Sequence, residues 1–180
     1  DRADLEIPNL EIRLAYEDEI LRNMVPMKGD ILLYDMLDAM LAGDSETFQS
    51  KLSSALRDFV SYHDAAQPES FYHGMLLGFS VLMEGAYRVE SNRESGYGRY
   101  DVMLVPNDGA DGTDPAVVME FKVFDEEDEE KTLEDTAMNT LKQIEERKYD
   151  TDLLIRGIPA DRIRKYGLAF QGKQCLIRKA

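Results

Sequence analysis

Gly98-Arg99-Tyr100-Asp101-Val102 and, after a turn-rich interval, Val117-Val118-Met119-Glu120-Phe121-Lys122-Val123 are the stretches that decide the fold. Both are dense in apolar residues and read as strands. Side chains alternate faces along a strand, so Glu120 and Lys122 share one face while Met119, Phe121 and Val123 share the other. Two charged groups on an otherwise apolar strand are costly to bury without partners. Asp101, on the preceding strand, completes a set of Asp, Glu and Lys. Two carboxylates offer oxygen ligands to a divalent cation. A lysine beside them positions an attacking water or helps to deprotonate it. This is the apparatus of metal-assisted phosphodiester hydrolysis.

Working outward, Tyr87–Arg93 and Arg99–Val105 read as two strands joined by the turn residues 94–98, and Ala116–Val123 as a third. Residues 106–115, rich in Gly, Asp, Asn and Pro, form an excursion between the last two. Asp125 to Glu130 is a run of six acids and reads as a solvated, flexible loop, poorly preorganised for a metal. A helix follows over Leu133–Lys148, with Ala137, Leu141 and Ile144 facing inward. Ile163–Phe170 and Gln174–Ile177 read as a final hairpin turning at Gln171-Gly172-Lys173.

Upstream, Pro68 opens a helix at the first-turn position that proline tolerates. Its residues Phe71, Met75, Leu76, Phe79, Leu82 and Met83 make it apolar around much of its circumference. Three further helical segments precede it: Ile12–Val25, a run from Asp30 to Leu41 closed by Gly43, and one capped by Asp44 or Ser45 with Phe48, Leu52, Leu56 and Val60 in register. His63 reads as a C-terminal cap. No internal repeat is visible. The order is helix, three-strand antiparallel meander, helix, further strands, which makes the fold class α/β.

Composition sets bounds. The chain has 180 residues, a 43% hydrophobic content and a formal net charge of -15. No apolar run reaches the ~18 residues of a membrane span. The opening Asp1-Arg2-Ala3-Asp4 lacks the pattern of a secretory leader and reads as the start of a fragment of a longer protein. The single Cys175 excludes an internal disulfide framework and fits a reducing cytoplasm. The acidity argues against a general nucleic-acid coat protein, since phosphate affinity rests on Lys and Arg. Residues 151–180 nevertheless hold Arg156, Arg162, Arg164, Lys165, Lys173, Arg178 and Lys179 against Asp152 and Asp161, a net +5. That segment either borders a nucleic-acid path or pairs with the acidic body.

The order of elements, with Asp on the second strand and Glu-x-Lys on the third, resembles the PD-(D/E)XK nuclease superfamily, the restriction-endonuclease-like fold. Residues 91–101 (Ser-Asn-Arg-Glu-Ser-Gly-Tyr-Gly-Arg-Tyr-Asp), Glu120-Phe121-Lys122, Phe71-Tyr72-His73-Gly74 and Tyr166-Gly167-Leu168-Ala169-Phe170-Gln171-Gly172-Lys173 resemble one branch in particular. Its members are fused behind an AAA-ATPase-like domain in bacteria and archaea. The nuclease resemblance covers about residues 66–180. Residues 1–65, including Ile7-Pro8-Asn9, resemble the helical connector of that architecture.

The resemblance implies a metal-dependent nuclease using Mg2+ or Mn2+ on DNA, with RNA as the second alternative, and the ATPase-like domain of the same protein as partner. Asp101 would be the metal-bridging carboxylate, Glu120 the second ligand and the Phe121 carbonyl a third. Lys122 would orient or activate the water. The family often places an acid on the first core helix. Glu69 is the candidate, with His73 four residues on and on the same face. Gln143 resembles a glutamine that many members hold near the site. Tyr149 follows it by six residues, not the four of the RecB-type motif, and Tyr100 stands where the superfamily's name has proline.

Each residue also has a plainer account. Glu120 and Lys122 would alone suit an ordinary ion pair on an edge strand, and His73 a hydrogen-bonded core histidine. Arg93 and Arg99 either contact phosphate or neutralise Glu90, Glu94 and Asp101. The competing function is a nuclease fold that is catalytically silent and retained for nucleic-acid binding or protein assembly.

Overall fold

The computed structural model of the chain describes residues 29–59, 68–83, 85–126 and 130–180. The expected helix Ile12–Val25 and the His63 cap lie outside the described residues. Three helices come first: α1 (Gly29–Ala42), α2 (Ser45–Phe59) and α3 (Pro68–Val81). Gly43 takes the left-handed conformation that closes α1, with φ +81°. The Thr47 N–H donates to Asp44 Oδ1 at 3.0 Å and caps α2.

The strands are β1 (Tyr87–Ser91), β2 (Glu94–Ser95), β3 (Gly98–Arg99), β4 (Val102–Pro106) and β5 (Ala116–Val123). After them come α4 (Leu133–Arg147), a short α5 (Thr151–Ile155), β6 (Ile163–Gln171) and β7 (Gln174–Lys179). The main sheet runs β1-β4-β5-β6-β7. Its first two pairings are antiparallel, β5–β6 is parallel and β6–β7 is antiparallel. The antiparallel meander expected from the sequence is present. The parallel pair arises because α4 carries the chain back across the sheet between β5 and β6.

Helices cover both faces. Val117, Met119 and Phe121 pack with Leu33, Met36, Leu52 and Phe79 of the α1–α3 layer. Ala116 and Val118 pack with Leu141 and Ile144 of α4. Burial on both faces is why β5 reads as a nearly continuous apolar run.

Two local differences from expectation matter. The link between the first two strands is not a simple turn. Residues 94–99 form their own two-stranded ladder, with Glu94 opposite Arg99 and Ser95 opposite Gly98. The basic C-terminal segment largely pairs with the acidic body: Arg156 with Glu90 and Asp152, Lys165 with Glu145 and Asp150, Arg178 with Glu134, and Arg162 with Asp108. No described helix is long and apolar enough to cross a membrane.

Candidate active site

The register of the sheet creates the site. Val102 pairs with Met119, so one step beyond the ladder Asp101 comes opposite Glu120. Asp101 continues the alternation of Met103 and Val105, which face α4, and Glu120 continues that of Ala116 and Val118. Both carboxylates therefore sit at the end of the β4–β5 pair on the α4 face. The Phe121 N–H donates to Asp101 Oδ2 at 3.0 Å, and the Asn92 N–H to the Asp101 carbonyl at 3.1 Å. The bend that leads into β4 is held on one side by Phe121 of β5 and on the other by Asn92, just past β1.

Glu120 is 8% exposed. Its Oε1 accepts a hydrogen bond from Gln143 Nε2. Its Oε2 is buried with no hydrogen-bond partner among the described residues. Burial first, and the Asp101 carboxylate second, push the Glu120 carboxyl up to about 8, against the opposing pull of the Asp101 backbone, Arg147 and Gln143. A buried carboxylate facing another is under electrostatic stress that a cation between them relieves. An orphaned buried oxygen beside a second acid is also a suitable donor set for Mg2+, which needs only one or two carboxylates and keeps its own waters. The residues present thus fit a hard divalent ion. Among the described residues no group of three or more His, Cys, Asp and Glu side chains is arranged to hold a metal.

Lys122 shares the Glu120 face and donates from Nζ to Glu130 Oε2 at 2.7 Å. Glu130 in turn accepts from Asn139 Nδ2 at 3.2 Å. The last acid of the run 125–130 is therefore ordered against the strand lysine, not a solvated bystander as the sequence suggests. Six consecutive acids look alike in sequence, and only the approach of α4 to the end of β5 selects Glu130.

Gln143 reaches Glu120 from α4 and also hydrogen-bonds the Tyr149 hydroxyl at 3.1 Å. Six residues of straight helix would separate these two by about 9 Å. The helix instead stops at Arg147, and Lys148 turns left-handed with φ +52°. That reversal folds Tyr149 back over the last turn. A helix stop between the two residues was the one available signal. Ser95 then fixes the Tyr149 backbone, its Oγ donating to the Tyr149 carbonyl at 2.7 Å and accepting the Asp152 N–H at 3.2 Å.

His73 lies on α3, at the opposite face of the sheet from Glu120. Its Nε2 meets Ser91 Oγ at 2.7 Å and its ring tilts against Phe121 at 5.6 Å. Glu69 falls on the first turn of α3, and its side chain lies outside the described residues. Arg99 is exposed on β3, in register with Glu94. Glu90 takes its cations from Arg88 and Arg156, not from Arg93 or Arg99.

A family model of the PD-(D/E)XK nuclease superfamily matches residues 67–180, more than half of the chain. The chain belongs to that superfamily, and the mixed five-stranded sheet flanked by helices is its restriction-endonuclease-like fold. Among curated proteins no match was found.

Proposed function

We propose that this chain is the nuclease domain of a larger ATPase-nuclease protein, and that it hydrolyses phosphodiester bonds in DNA rather than in RNA. Residues 66–180 are the nuclease unit and residues 1–65 the connector to the ATPase-like domain. The observation that carries the reading is the facing pair Asp101 and Glu120, with the Glu120 Oε2 buried and unpartnered among the described residues. Asp101, Glu120 and the Phe121 carbonyl would hold Mg2+ or Mn2+. A divalent ion held there supplies Lewis acidity at a phosphoryl oxygen and neutralises developing charge. Asp101 is held for that task by the Phe121 N–H, and Glu120 by Gln143, which Tyr149 orients. Lys122, on the same face, places its ammonium to orient the attacking water and to offset charge on the phosphate.

The test is calorimetric titration of Mg2+ and Mn2+ into the wild type and Asp101→Ala, paired with a cleavage assay on single-stranded and duplex DNA and on RNA. Metal binding and cleavage that both vanish in Asp101→Ala support the proposal. Cleavage that survives Asp101→Ala or Lys122→Ala refutes the assignment of the site.

The second reading is a catalytically silent module that binds nucleic acid or assembles with a partner. The Lys122–Glu130 pair favours it, because the lysine ammonium is engaged by a carboxylate. Metal binding without cleavage of any substrate, with the ATPase domain restored, is the outcome that selects it.

A further inference from the structure

The chain carries a formal charge of -15, yet one corner of the site edge is cationic. Arg93 and Arg99 flank the β2–β3 hairpin, and Arg147 and Lys148 end α4; all four are exposed. None of them takes part in the ion pairs among the described residues, although Glu94 stands in register with Arg99. The nearby acids of α4 are engaged elsewhere, Glu145 with Lys165 and Glu146 with Lys142.

At the tip of the hairpin Tyr97 is 74% exposed. The Lys148 ammonium lies 5.8 Å from its ring centroid. The helix macrodipole accounts for cations in the last turn of α4, but it offers no reason to hold an aromatic ring out in solvent.

The hairpin is clamped, not loose. The Tyr97 N–H donates to the Arg147 carbonyl at 2.7 Å, and Arg147 Nη1 returns a bond to the Tyr97 carbonyl at 3.5 Å. Gly96 has φ +59°, and a Cβ there would lie 2.2 Å from the carbonyl oxygens of Arg147 and Lys148. A Cβ at Gly98 would lie 3.0 Å from the Tyr149 ring. Tyr149 is the residue that holds Gln143 against Glu120. From Tyr97 the chain reaches Asp101 in four residues, a span of at most ~14 Å.

We propose that the β2–β3 hairpin and the C-terminal end of α4 form a shelf for an unpaired DNA strand leading to the Asp101–Glu120 site, with Tyr97 as its base-stacking platform. The proposal rests on the nuclease reading and names its substrate as DNA with a single-stranded segment. An exposed ring on a clamped hairpin, flanked by cations that form no ion pair among the described residues, matches the way proteins bind single strands: bases stack on the ring and phosphates follow the charges. A fully paired duplex has no base face to offer Tyr97, and would meet only the charges.

The test measures binding of the full chain to fluorescent single-stranded DNA, blunt duplex and RNA of one sequence, by anisotropy with Ca2+ as the divalent ion. Tyr97→Ala is expected to weaken single-strand binding about five- to hundred-fold and duplex binding less than about two-fold, with Tyr97→Phe behaving as wild type. Lys148→Ala is expected to reduce the slope of log affinity against log salt by about 0.7. Both positions are exposed, so folding is not at issue.

Unchanged single-strand binding in Tyr97→Ala, an equal loss on duplex, or a wild type that binds neither form overturns the shelf. Tyr97-dependent binding of RNA alone overturns the assignment to DNA. Cleavage that needs Asp101 but ignores Tyr97 removes the shelf and leaves the nuclease. Tyr97-dependent strand binding without any metal-dependent cleavage removes the nuclease and leaves the shelf.

Discussion

Gly167 lies beside Glu120 in the parallel β5–β6 pair, and the absence of a side chain there lets α4 settle onto the sheet close enough for Gln143 to reach Glu120. A Cβ on Gly167 would stand 2.5 Å from the Leu141 backbone nitrogen and 2.6 Å from the Ala137 carbonyl oxygen. Real Cβ atoms do not approach backbone so closely, and helix backbone cannot move aside as a flexible side chain can. Fold and site therefore share one steric requirement.

Gly167→Ala is accordingly expected to cost about 3 kcal/mol, the upper end of the usual range for overpacking. Urea unfolding midpoints measure it. Gly74 on α3 is the control: it is exposed and nothing lies within 4 Å of its would-be Cβ. Gly74→Ala should stabilise by about 0.5–1 kcal/mol through helix propensity. Equal effects at the two positions would show that α4 does not rest on Gly167.

Glu120 makes a pH-dependent prediction. Its carboxyl sits at about 8 in the fold against an ordinary value of 4.5. Below about pH 4.5 both folded and unfolded chains hold the proton, and the neutral group's contribution to stability is fully present. As pH rises toward 8 the unfolded chain ionises while the fold keeps its proton, so that contribution is lost. Metal-free wild type should thus lose stability relative to Glu120→Gln between pH 5 and 8, by roughly 3 kcal/mol. Urea unfolding in EDTA at the two pH values measures the gap. Added Mg2+ should then raise the wild-type midpoint and leave that of Glu120→Gln unchanged, because only a folded state that binds the ion is stabilised by it. A pH-independent gap would show that Glu120 is ionised at neutral pH.

How much of this was legible beforehand depends on the range of the interaction. The alternation in Val117–Val123 places Glu120 and Lys122 on one face by local geometry alone, and the pairing with Asp101 needs only a neighbouring strand. Those parts are readable from sequence. Tyr149 reaching Gln143 depends on one left-handed residue, Lys148, which carries no glycine or asparagine to announce it. The Lys122–Glu130 pair and the docking of the 94–99 hairpin on α4 are set by where two elements meet in space. No periodicity records that. The charge of residues 151–180 left two readings open, and the ion pairs to Glu90, Glu134, Glu145 and Asp150 favour the structural one.

Arg156 belongs to that structural group. Glu90 is buried, with Arg156 Nη1 at 3.0 Å, Arg88 Nε at 2.7 Å and the Tyr100 hydroxyl at 3.1 Å. Burial pushes the Glu90 carboxyl up, but the bonds from Arg156 and Arg88 outweigh it and hold the carboxyl below its ordinary value. Arg156→Ala leaves a buried carboxylate short of its main partner and should cost about 3 kcal/mol near pH 7. A depressed acid stabilises the fold above its unfolded value and loses that contribution as pH falls through its folded value. The cost should therefore shrink below pH 4.5. Chemical denaturation across pH 3.5–7 checks this, and a cost that stays constant with pH would mean that Arg156 acts through packing alone.

The pairing of Lys122 with Glu130 separates chemistry from scaffolding. Lys122 is 43% exposed and the Glu130 side chain 9%, so solvent screens the pair from the lysine side, and with Asn139 still bonded to Glu130 its loss should cost about 1 kcal/mol. Lys122→Met should leave the melting temperature within a few degrees of wild type while lowering cleavage by about 10²–10⁴-fold, the usual consequence of losing a positioned proton-transfer or charge-stabilising group. Glu130→Gln removes the carboxylate that competes with substrate phosphate for the ammonium. It should leave stability nearly unchanged and raise kcat/KM for DNA by up to about five-fold, the factor that corresponds to releasing a pair of that strength. Parallel cleavage and thermal unfolding measurements on the two variants decide the matter. If Glu130→Gln proves as inactive as Lys122→Met, the acid takes part in the reaction itself, and the run of acids is an extension of the site, not a competitor for its lysine.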